Sequence, residues 1–401
     1  MTIRAWLWTG ATLALVPPVA AQRVGGHPHH NRERPNYLAE LLPPPPPGVD
    51  LPPPPPGEPP AVVRGIFMNK WGFGGARFHD LIRLADTTEI NAFVMDIKDA
   101  TGYLAYPSTV PTAVEIGANR DPTVRDPRAR LALLKQHGIH PIARIVVARD
   151  PLLARNKPEW AIHDAGGGLW HDGLGDAWVD AYCDSVWVYA ADIAAEAVLM
   201  GFDEIQFDYV RFPDEPPERL GRTRHSCFQP GDSKRGAVRR NLTMLRERVH
   251  AMGVPFTIDV FGLTTSTVGD LGIGQSWPDL LSVADVVLPM VYPSHYRRGA
   301  YGFSNPNREP YAVVRRALED GLRRSQGIPG AARIRPYLQS FSIYRVRYTA
   351  VEVRAQIDAV EDVGLTDWIL WNASANYPAG AFRPAPSPIR SVDDPVLQGR
   401  N

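Results

Sequence analysis

Eight strand-like segments alternate with seven helix-like segments between residues 62 and 372. Four of the helical patterns end in glycine just before the next strand, and glycine accepts the left-handed conformation that closes a helix. Alternation of this kind over roughly 330 residues predicts a (β/α)₈ TIM barrel. The predicted strands are Val62–Asn69, Asn91–Lys98, Pro141–Val147, Glu204–Asp208, Phe256–Phe261, Asp285–Tyr292, Ile334–Gln339 and Trp368–Asn372. The predicted helices lie near Arg77–Thr88, Pro127–His137, Ala177–Met200, Lys234–Met252, Trp277–Val283, Tyr311–Arg324 and Val351–Val363.

A doubly wound open sheet is the alternative to a barrel. Such a sheet would place a glycine-rich dinucleotide loop after its first strand. The segment Trp71-Gly-Phe-Gly-Gly75 holds glycines there, but they lack the G-x-G-x-x-G spacing. We therefore interpret this segment as a barrel loop.

The N-terminal region predicts export. Residues 1–21 have a basic start, an apolar stretch too short to span a bilayer comfortably, and small residues before Gln22, which together predict a signal peptide. Residues 22–60 contain two runs of five prolines and predict a disordered, extended linker. Residues 61–380 are the predicted barrel domain and residues 381–401 a C-terminal tail. We expect a periplasmic or extracellular protein without stable membrane insertion after cleavage.

Charge and motifs narrow the class of partner. Lys and Arg number 43 and Asp and Glu number 43, so no net charge favours nucleic acid as a partner. The sequence lacks H-E-x-x-H, G-x-S-x-G and a Walker loop, and it predicts no metal and no cofactor. The oligomeric state stays open. Cys183 and Cys227 are the only cysteines; export permits a disulfide between them, and two buried free thiols are the alternative.

The fourth predicted strand ends in an acid. In the stretch Gly201–Pro213 (GFDEIQFDYVRFP), alternation places Gln206 and Asp208 on one face, and Arg211 follows shortly after. An unpaired buried carboxylate costs several kcal/mol, so an acid at a barrel strand end favours a site. The alternative is an aspartate that caps the next loop.

Polar and aromatic residues stand at the other predicted strand ends, where barrel enzymes carry their active sites. We expect these side chains to meet at one mouth, with Asp96 and Lys98 on a common face. An ion pair within the barrel is the alternative for those two. The candidate residues are Asp96, Lys98, Asp99, Arg144, Asp208, Arg211, Asp259, Tyr292, His295, Gln339, Trp371 and Asn372.

This set of side chains suits a sugar, and glycoside hydrolysis needs two carboxyl groups. We predict Asp208 as the nucleophile or base, held ionised by Arg144 or Arg211. Asp259 is the predicted general acid, because Val260 and Phe261 would raise its pKa. Asp96 would position the substrate or be an alternative partner, and the remaining candidates would bind substrate. Alternatively, Asp259 caps a loop, Arg144 neutralises buried acids, and Trp371 and Tyr292 are core aromatics.

Several segments resemble a known family. They are Arg64–Phe67, Asn91–Gly102, Tyr106–Ser108, Ala143–Val147, Gly201–Pro213 and Asp259–Gly262. The stretch of about residues 62–380 resembles bacterial glycoside hydrolase domains of unknown function, TIM barrels that are distantly similar to the α-galactosidase-like clans. The resemblance implies glycoside hydrolysis, with the fourth-strand aspartate, Asp208, as nucleophile. In the similar clans the acid often follows the sixth strand, where this chain has Tyr292-Pro-Ser-His295 and no carboxylate.

Together these observations predict an exported glycoside hydrolase that cleaves an envelope or extracellular polysaccharide. The alternative from another class is a non-catalytic barrel that binds oligo- or polysaccharides in the cell envelope.

Overall fold

The computed structural model describes residues 57–385. The predicted signal peptide, residues 22–56 of the predicted linker and residues 386–401 of the predicted tail lie outside these residues. Within the described range, no helix combines the length and the apolar character needed to cross a membrane.

Eight parallel strands close into a barrel, as the sequence predicted. Neighbouring strands pair in chain order, and the pairing of β8 with β1 closes the barrel. On the other side of β7, Tyr337 pairs with Met290 on β6. The predicted seventh strand forms in two pieces. The strands are β1 (Arg64–Met68), β2 (Ala92–Lys98), β3 (His140–Val146), β4 (Glu204–Asp208), β5 (Phe256–Phe261), β6 (Val286–Met290), β7 (Arg333–Ile334 and Tyr337–Gln339) and β8 (Trp368–Trp371).

Helices cover the outside of the barrel. Strands β2 and β3 are buried at every position, as expected for parallel strands with helices on one face and the barrel interior on the other. The main helices are α1 (Arg77–Thr87), α2 (Pro127–Gln136), α3 (Asp184–Met200), α4 (Lys234–Ala251), α5 (Trp277–Val283), α6 (Pro310–Ser325) and α7 (Ala350–Asp362). Shorter helices span Lys70–Gly74, Pro111–Glu115, Pro151–Asn156 and Pro217–Leu220, and a small antiparallel pair joins Ile162–His163 to Arg224–His225.

The predicted helix Ala177–Met200 is wrong in its first seven residues. Helix α3 begins only at Asp184. The preceding segment is not helical, because its backbone forms hydrogen bonds with other loops. The N–H of Val179 donates to the carbonyl of Ala148, and the N–H of Asp180 donates to the carbonyl of Trp160.

A disulfide joins Cys183, immediately before α3, to Cys227 in the long loop after β4. The two Cα atoms are 5.1 Å apart and 44 residues apart in sequence. Asp180 lies beside the two sulfurs, and within residues 57–385 these three side chains are the one group with the composition of a metal site. The two sulfurs are bonded to each other, so we assign the group a structural role: the disulfide links the loop after β4 to the start of α3.

A buried charge cluster lies inside the barrel near the N-terminal ends of the strands. The carboxylate of Glu204 accepts from Arg335 Nη1 at 2.6 Å and lies 3.2 Å from His140 Nε2. Burial favours the neutral form of Glu204, but Arg335 and His140 outweigh it and lower the pKa of Glu204 to about 2. The cluster therefore depends on an ionised Glu204.

Lowering the pH should destabilise the fold, because Glu204 becomes protonated. Because folding lowers this pKa below the ordinary 4.5, the stabilisation is complete above that pH and is lost as the pH falls towards 2. We expect the difference in unfolding free energy between the parent and Glu204→Gln to shrink by about 2 kcal/mol from about pH 6 to about pH 3. Urea titrations at both pH values measure it. A difference that does not change with pH would contradict this assignment.

Candidate active site

Three carboxylates surround one guanidinium at the C-terminal end of the barrel. Arg144 on β3 donates Nη1 to Asp96 on β2 and both Nη2 and Nε to Asp208 on β4, with the Nε contact at 3.1 Å. The same Nε lies 3.7 Å from Asp259 Oδ2 on β5. All four side chains are buried.

The pleat of the strands explains this convergence. Asp96 pairs in register with Arg144, and Arg144 pairs with Gln206, so all three project into the barrel interior. Asp208 follows two residues after Gln206 on the same face, and Gln206 donates Nε2 to Asp259 Oδ2 at 2.9 Å. The sequence prediction that Asp96, Arg144, Asp208 and Asp259 meet at one mouth is consistent with this arrangement.

The surroundings raise the pKa values of two of the acids, Asp259 and Asp96. Burial raises the pKa of Asp259 well above its usual range, the nearby Asp208 raises it further, and Arg144 and the Gln206 hydrogen bond oppose this only in part. Burial also raises the pKa of Asp96 to about 6, against the pull of Arg144. The raised pKa of Asp259 favours its protonated form beside the Asp208–Arg144 ion pair.

One oxygen of Asp259 is available to a ligand. Its Oδ2 accepts from Gln206, but its Oδ1 has no hydrogen-bond partner among the described residues. In contrast, Asp208 uses both oxygens as acceptors, since Oδ2 binds Arg144 and Oδ1 accepts from the N–H of Tyr209. Of the two acids, Asp259 is therefore the one with an oxygen that no described residue binds.

The backbone turns sharply immediately after Asp208. Tyr209 has a φ of 54°, in the left-handed region that costs a non-glycine residue of order 1–3 kcal/mol. Its N–H binds Asp208, and its hydroxyl accepts from Arg149 Nη1 at 3.1 Å. These bonds hold the end of β4 in the geometry that orients the Asp208 carboxylate.

A cleft of about 400 Å³ opens above these acids. Tyrosines, Phe261 and Trp371 form much of its wall, and Trp371 stacks on Phe67 with ring centroids 3.7 Å apart. The hydroxyl of Tyr292 is buried without a hydrogen-bond partner among the described residues. The cleft is lined by Arg144, Asp208, Tyr209, Arg211, Asp214, Asp259, Phe261, Gly262, Leu263, Met290, Tyr292, His295, Tyr296, Tyr337 and Trp371. Aromatic walls with a few convergent polar groups are typical of a ligand site.

A family model described as "Putative glycosyl hydrolase domain" matches residues 65–377, which include all of the barrel except Arg64 and every residue of the cleft. The chain belongs to this family. The hydrolase domain therefore acts on glycosidic bonds, and the carboxyl groups of Asp208, Asp214 and Asp259 line its cleft.

Several solved structures are similar to the hydrolase domain, and one of them has a TM-score above 0.5. The glycoside hydrolase domain of PgaB (BpsB) from Bordetella bronchiseptica has 15% identity and a TM-score of 0.57, covering 80% of this chain and 99% of that one. A hypothetical protein from Ruminiclostridium thermocellum is 37% identical over 46% of this chain and 92% of its own, with a TM-score of 0.42. The α-galactosidase TtGalA from Thermus thermophilus has 16% identity and a TM-score of 0.47, covering 80% of this chain and 60% of that one. No curated protein matches the sequence.

Five of the predicted substrate-binding residues do not line the cleft: Asp96, which binds Arg144 beneath it, and Lys98, Asp99, Gln339 and Asn372. The prediction that Asp96 and Lys98 share a face is wrong, because the register with β3 shifts between them and pairs Lys98 with Ile145. Lys98 instead forms a buried ion pair with Asp150 at 2.7 Å, behind the strand and against Tyr189 of α3. The predicted alternative of an ion pair between Asp96 and Lys98 is also not formed.

The other three residues support loops. Asp99 pairs with Lys70 Nζ at 2.9 Å. The Gln339 side chain accepts from Ser294 N at 3.0 Å and donates to Phe341 O at 2.9 Å, and Asn372 donates to Ser340 O. Gln339 and Asn372 thus join the loops around the mouth without facing the cleft.

Sequence reasoning missed several cleft residues. Tyr337 lies two residues before Gln339 on β7, and its hydroxyl accepts from Gln206 Nε2 at 2.8 Å. A search of strand interiors as well as strand ends would have found it. Tyr209, Asp214 and Tyr296 lie on irregular loops, where no periodic pattern indicates which side chains face the cleft.

Proposed function

We propose that the hydrolase domain cleaves a polysaccharide with Asp208 as nucleophile and Asp259 as general acid. One observation carries the proposal: a single buried guanidinium holds Asp208 next to Asp259, whose pKa is raised and whose Oδ1 has no hydrogen-bond partner among the described residues, and both acids line the same cleft. A glycosidase needs this division of labour between an ionised and a protonated carboxyl group.

The spacing of the two acids favours retention of anomeric configuration. Asp208 Oδ2 and Asp259 Oδ2 lie 3.1 Å and 3.7 Å from the same Arg144 Nε, so their separation cannot exceed the sum of these distances. That limit on one pair of oxygens includes the separation of about 5–5.5 Å in retaining enzymes and reaches only the lower end of the 6.5–9.5 Å range of inverting ones. We therefore assign a double-displacement mechanism.

In the first step, a carboxylate oxygen of Asp208 forms a bond to the anomeric carbon while Asp259 gives its proton to the departing glycosidic oxygen. In the second step, Asp259 takes a proton from water, and the water oxygen displaces Asp208. Asp96 acts through Arg144, because it fixes the guanidinium that holds Asp208. Trp371 and Tyr292 supply faces and a hydroxyl for the sugar.

We further propose that the protein is exported and acts on an envelope or extracellular polysaccharide. The signal-like residues 1–21 and the disulfide between Cys183 and Cys227 both support an oxidising compartment. Detection of a processed N-terminus at Gln22 in exported material would test this, and an unprocessed cytoplasmic protein would contradict it.

The activity is tested by incubating purified protein with a panel of bacterial exopolysaccharides and cell-wall glycans, followed by chromatography of the products. We expect shortened chains with new reducing ends from at least one glycan. A glycan that binds tightly but is never shortened would favour the alternative of a non-catalytic carbohydrate-binding barrel.

A further inference from the structure

Arg211 is a buried cation in the wall of the cleft. Its side chain is 8% exposed, and it forms no ion pair with any carboxylate of residues 57–385. Its guanidinium lies 4.4 Å from the ring centre of Phe261, 4.8 Å from that of Tyr209 and 5.1 Å from that of Trp178. Arg144, the other arginine of the cleft, is surrounded by three acids, so the two cations have opposite environments.

The surroundings of Arg211 leave its positive charge and most of its N–H donors without polar partners among the described residues. Burial lowers the pKa of Arg211, and Tyr209, Asp214 and Asp208 offset this only in part. The faces of aromatic rings attract a cation, but they do not use its N–H donors. Of the five N–H groups of a guanidinium, the structure pairs those of Nη1 alone, with Phe212 O at 3.0 Å.

Arg211 stands in the wall of the space where substrate would lie. It lines the same cleft as Asp208 and Asp259, and its Nε and Nη2 have no hydrogen-bond partner among the described residues. Asp214 also lines the cleft, but it is exposed at the rim and forms no ion pair with Arg211. The three rings pack around the guanidinium, and a planar guanidinium is suited to paired hydrogen bonds with a carboxylate.

We propose that Arg211 binds a carboxylate on the substrate, so that the sugar held in the cleft is acidic. The carboxylate would come from a uronic acid or from a carboxyalkyl ether such as the lactyl group of muramic acid. The inference rests on the proposed glycoside hydrolase function and names its substrate class. Arg211 also offsets the repulsion that such a sugar would meet from the ionised Asp208.

The test compares each acidic glycan with its carboxyl-reduced form. Polygalacturonate, hyaluronan and alginate represent uronic acids, and peptidoglycan glycan strands represent the lactyl ether. We expect the parent to cleave one acidic class with kcat/KM about 100-fold above the reduced form. In Arg211→Met, which keeps an apolar chain among the rings, this preference should fall towards one, and Arg211→Lys should restore part of it.

Two results would overturn the inference. The first is a parent enzyme that cleaves neutral or carboxyl-reduced glycans as well as acidic ones. The second is an Arg211→Met variant, folded by circular dichroism, whose activity falls equally on both forms, since Arg211 would then act on the protein and not on the substrate carboxylate. In both cases glycan cleavage persists, and the proposed function stands.

A binding measurement covers the case in which no glycan is cleaved. Calorimetry with oligogalacturonate, hyaluronan, alginate and muramic-acid oligosaccharides compares Asp208→Asn with Asp208→Asn/Arg211→Met. Binding that is about 100-fold weaker in the double variant, and absent for reduced oligosaccharides, would support the acidic-sugar site even if hydrolysis failed. No difference between the two variants would overturn it.

Discussion

Asp208→Asn should lower kcat by about 10⁴-fold or more on any glycan that the parent hydrolyses. The amide cannot form the glycosyl-enzyme bond, yet its oxygen can still accept from Arg144, and only the hydrogen bond from the N–H of Tyr209 is lost to the amide nitrogen. Arg144 also keeps its ion pair with Asp96. The barrel should therefore stay folded while turnover is lost. Release of reducing ends measures the effect.

The matched control is Asp80→Asn, the same chemical change on the exposed surface of α1, where Asp80 contacts Arg77 and Arg83. That variant should keep the parent rate. Both variants should have circular dichroism spectra and thermal midpoints close to those of the parent. Full turnover by Asp208→Asn would remove this residue from the mechanism.

Asp259→Asn should lower kcat by about 10²–10⁴-fold on a natural polysaccharide, where the departing alkoxide must receive a proton. The loss should be much smaller on an aryl glycoside with an activated phenol, because that leaving group departs without a proton. The parent should lose activity as the pH rises through the raised pKa of Asp259, and the variant should lack this basic limb. Rates against pH on both substrates measure these effects.

Equal losses on the two kinds of substrate would contradict the assignment of Asp259 as the acid. The remaining carboxyl group of the cleft wall is Asp214, at the rim. The same leaving-group comparison on Asp214→Asn would show whether proton transfer comes from there instead.

The sequence predicted the barrel well because its signals are local. Alternating apolar patterns and closing glycines such as Gly201, whose φ is 115°, determine elements within a few residues of themselves. The false start of helix α3 at Ala177 arose where the pattern alone could not separate helix from extended chain. That segment is fixed by bonds to residues 148 and 160, which lie elsewhere in the sequence.

The same difference between local signals and contacts with distant residues explains which site residues could be predicted. Asp208, Asp259 and Arg144 could be predicted because strand alternation places them in the barrel interior at its C-terminal end. Lys98 was misplaced because a register shift next to Asp96 leaves no mark in the amino-acid pattern. The raised pKa of Asp259 was expected from Val260 and Phe261, but its structural causes are burial and the charge of Asp208, a residue 51 positions earlier in the chain.

The carboxyl group after the sixth strand, expected from the α-galactosidase-like clans, is absent from the cleft wall here. Tyr292 and His295 line the cleft at that place, and burial lowers the pKa of His295. A neutral imidazole there can exchange hydrogen bonds with sugar hydroxyls, while the proposed proton donor, Asp259, lies on β5.

NMR of the first products released from a cleaved glycan tests the pairing of Asp208 with Asp259 most directly. Spectra recorded before mutarotation report the configuration of each new reducing end. Because the carboxyl groups of Asp208 and Asp259 both lie next to Arg144 Nε, we predict that this configuration is the same as in the parent linkage. Products of inverted configuration would show that water, not Asp208, attacks the anomeric carbon.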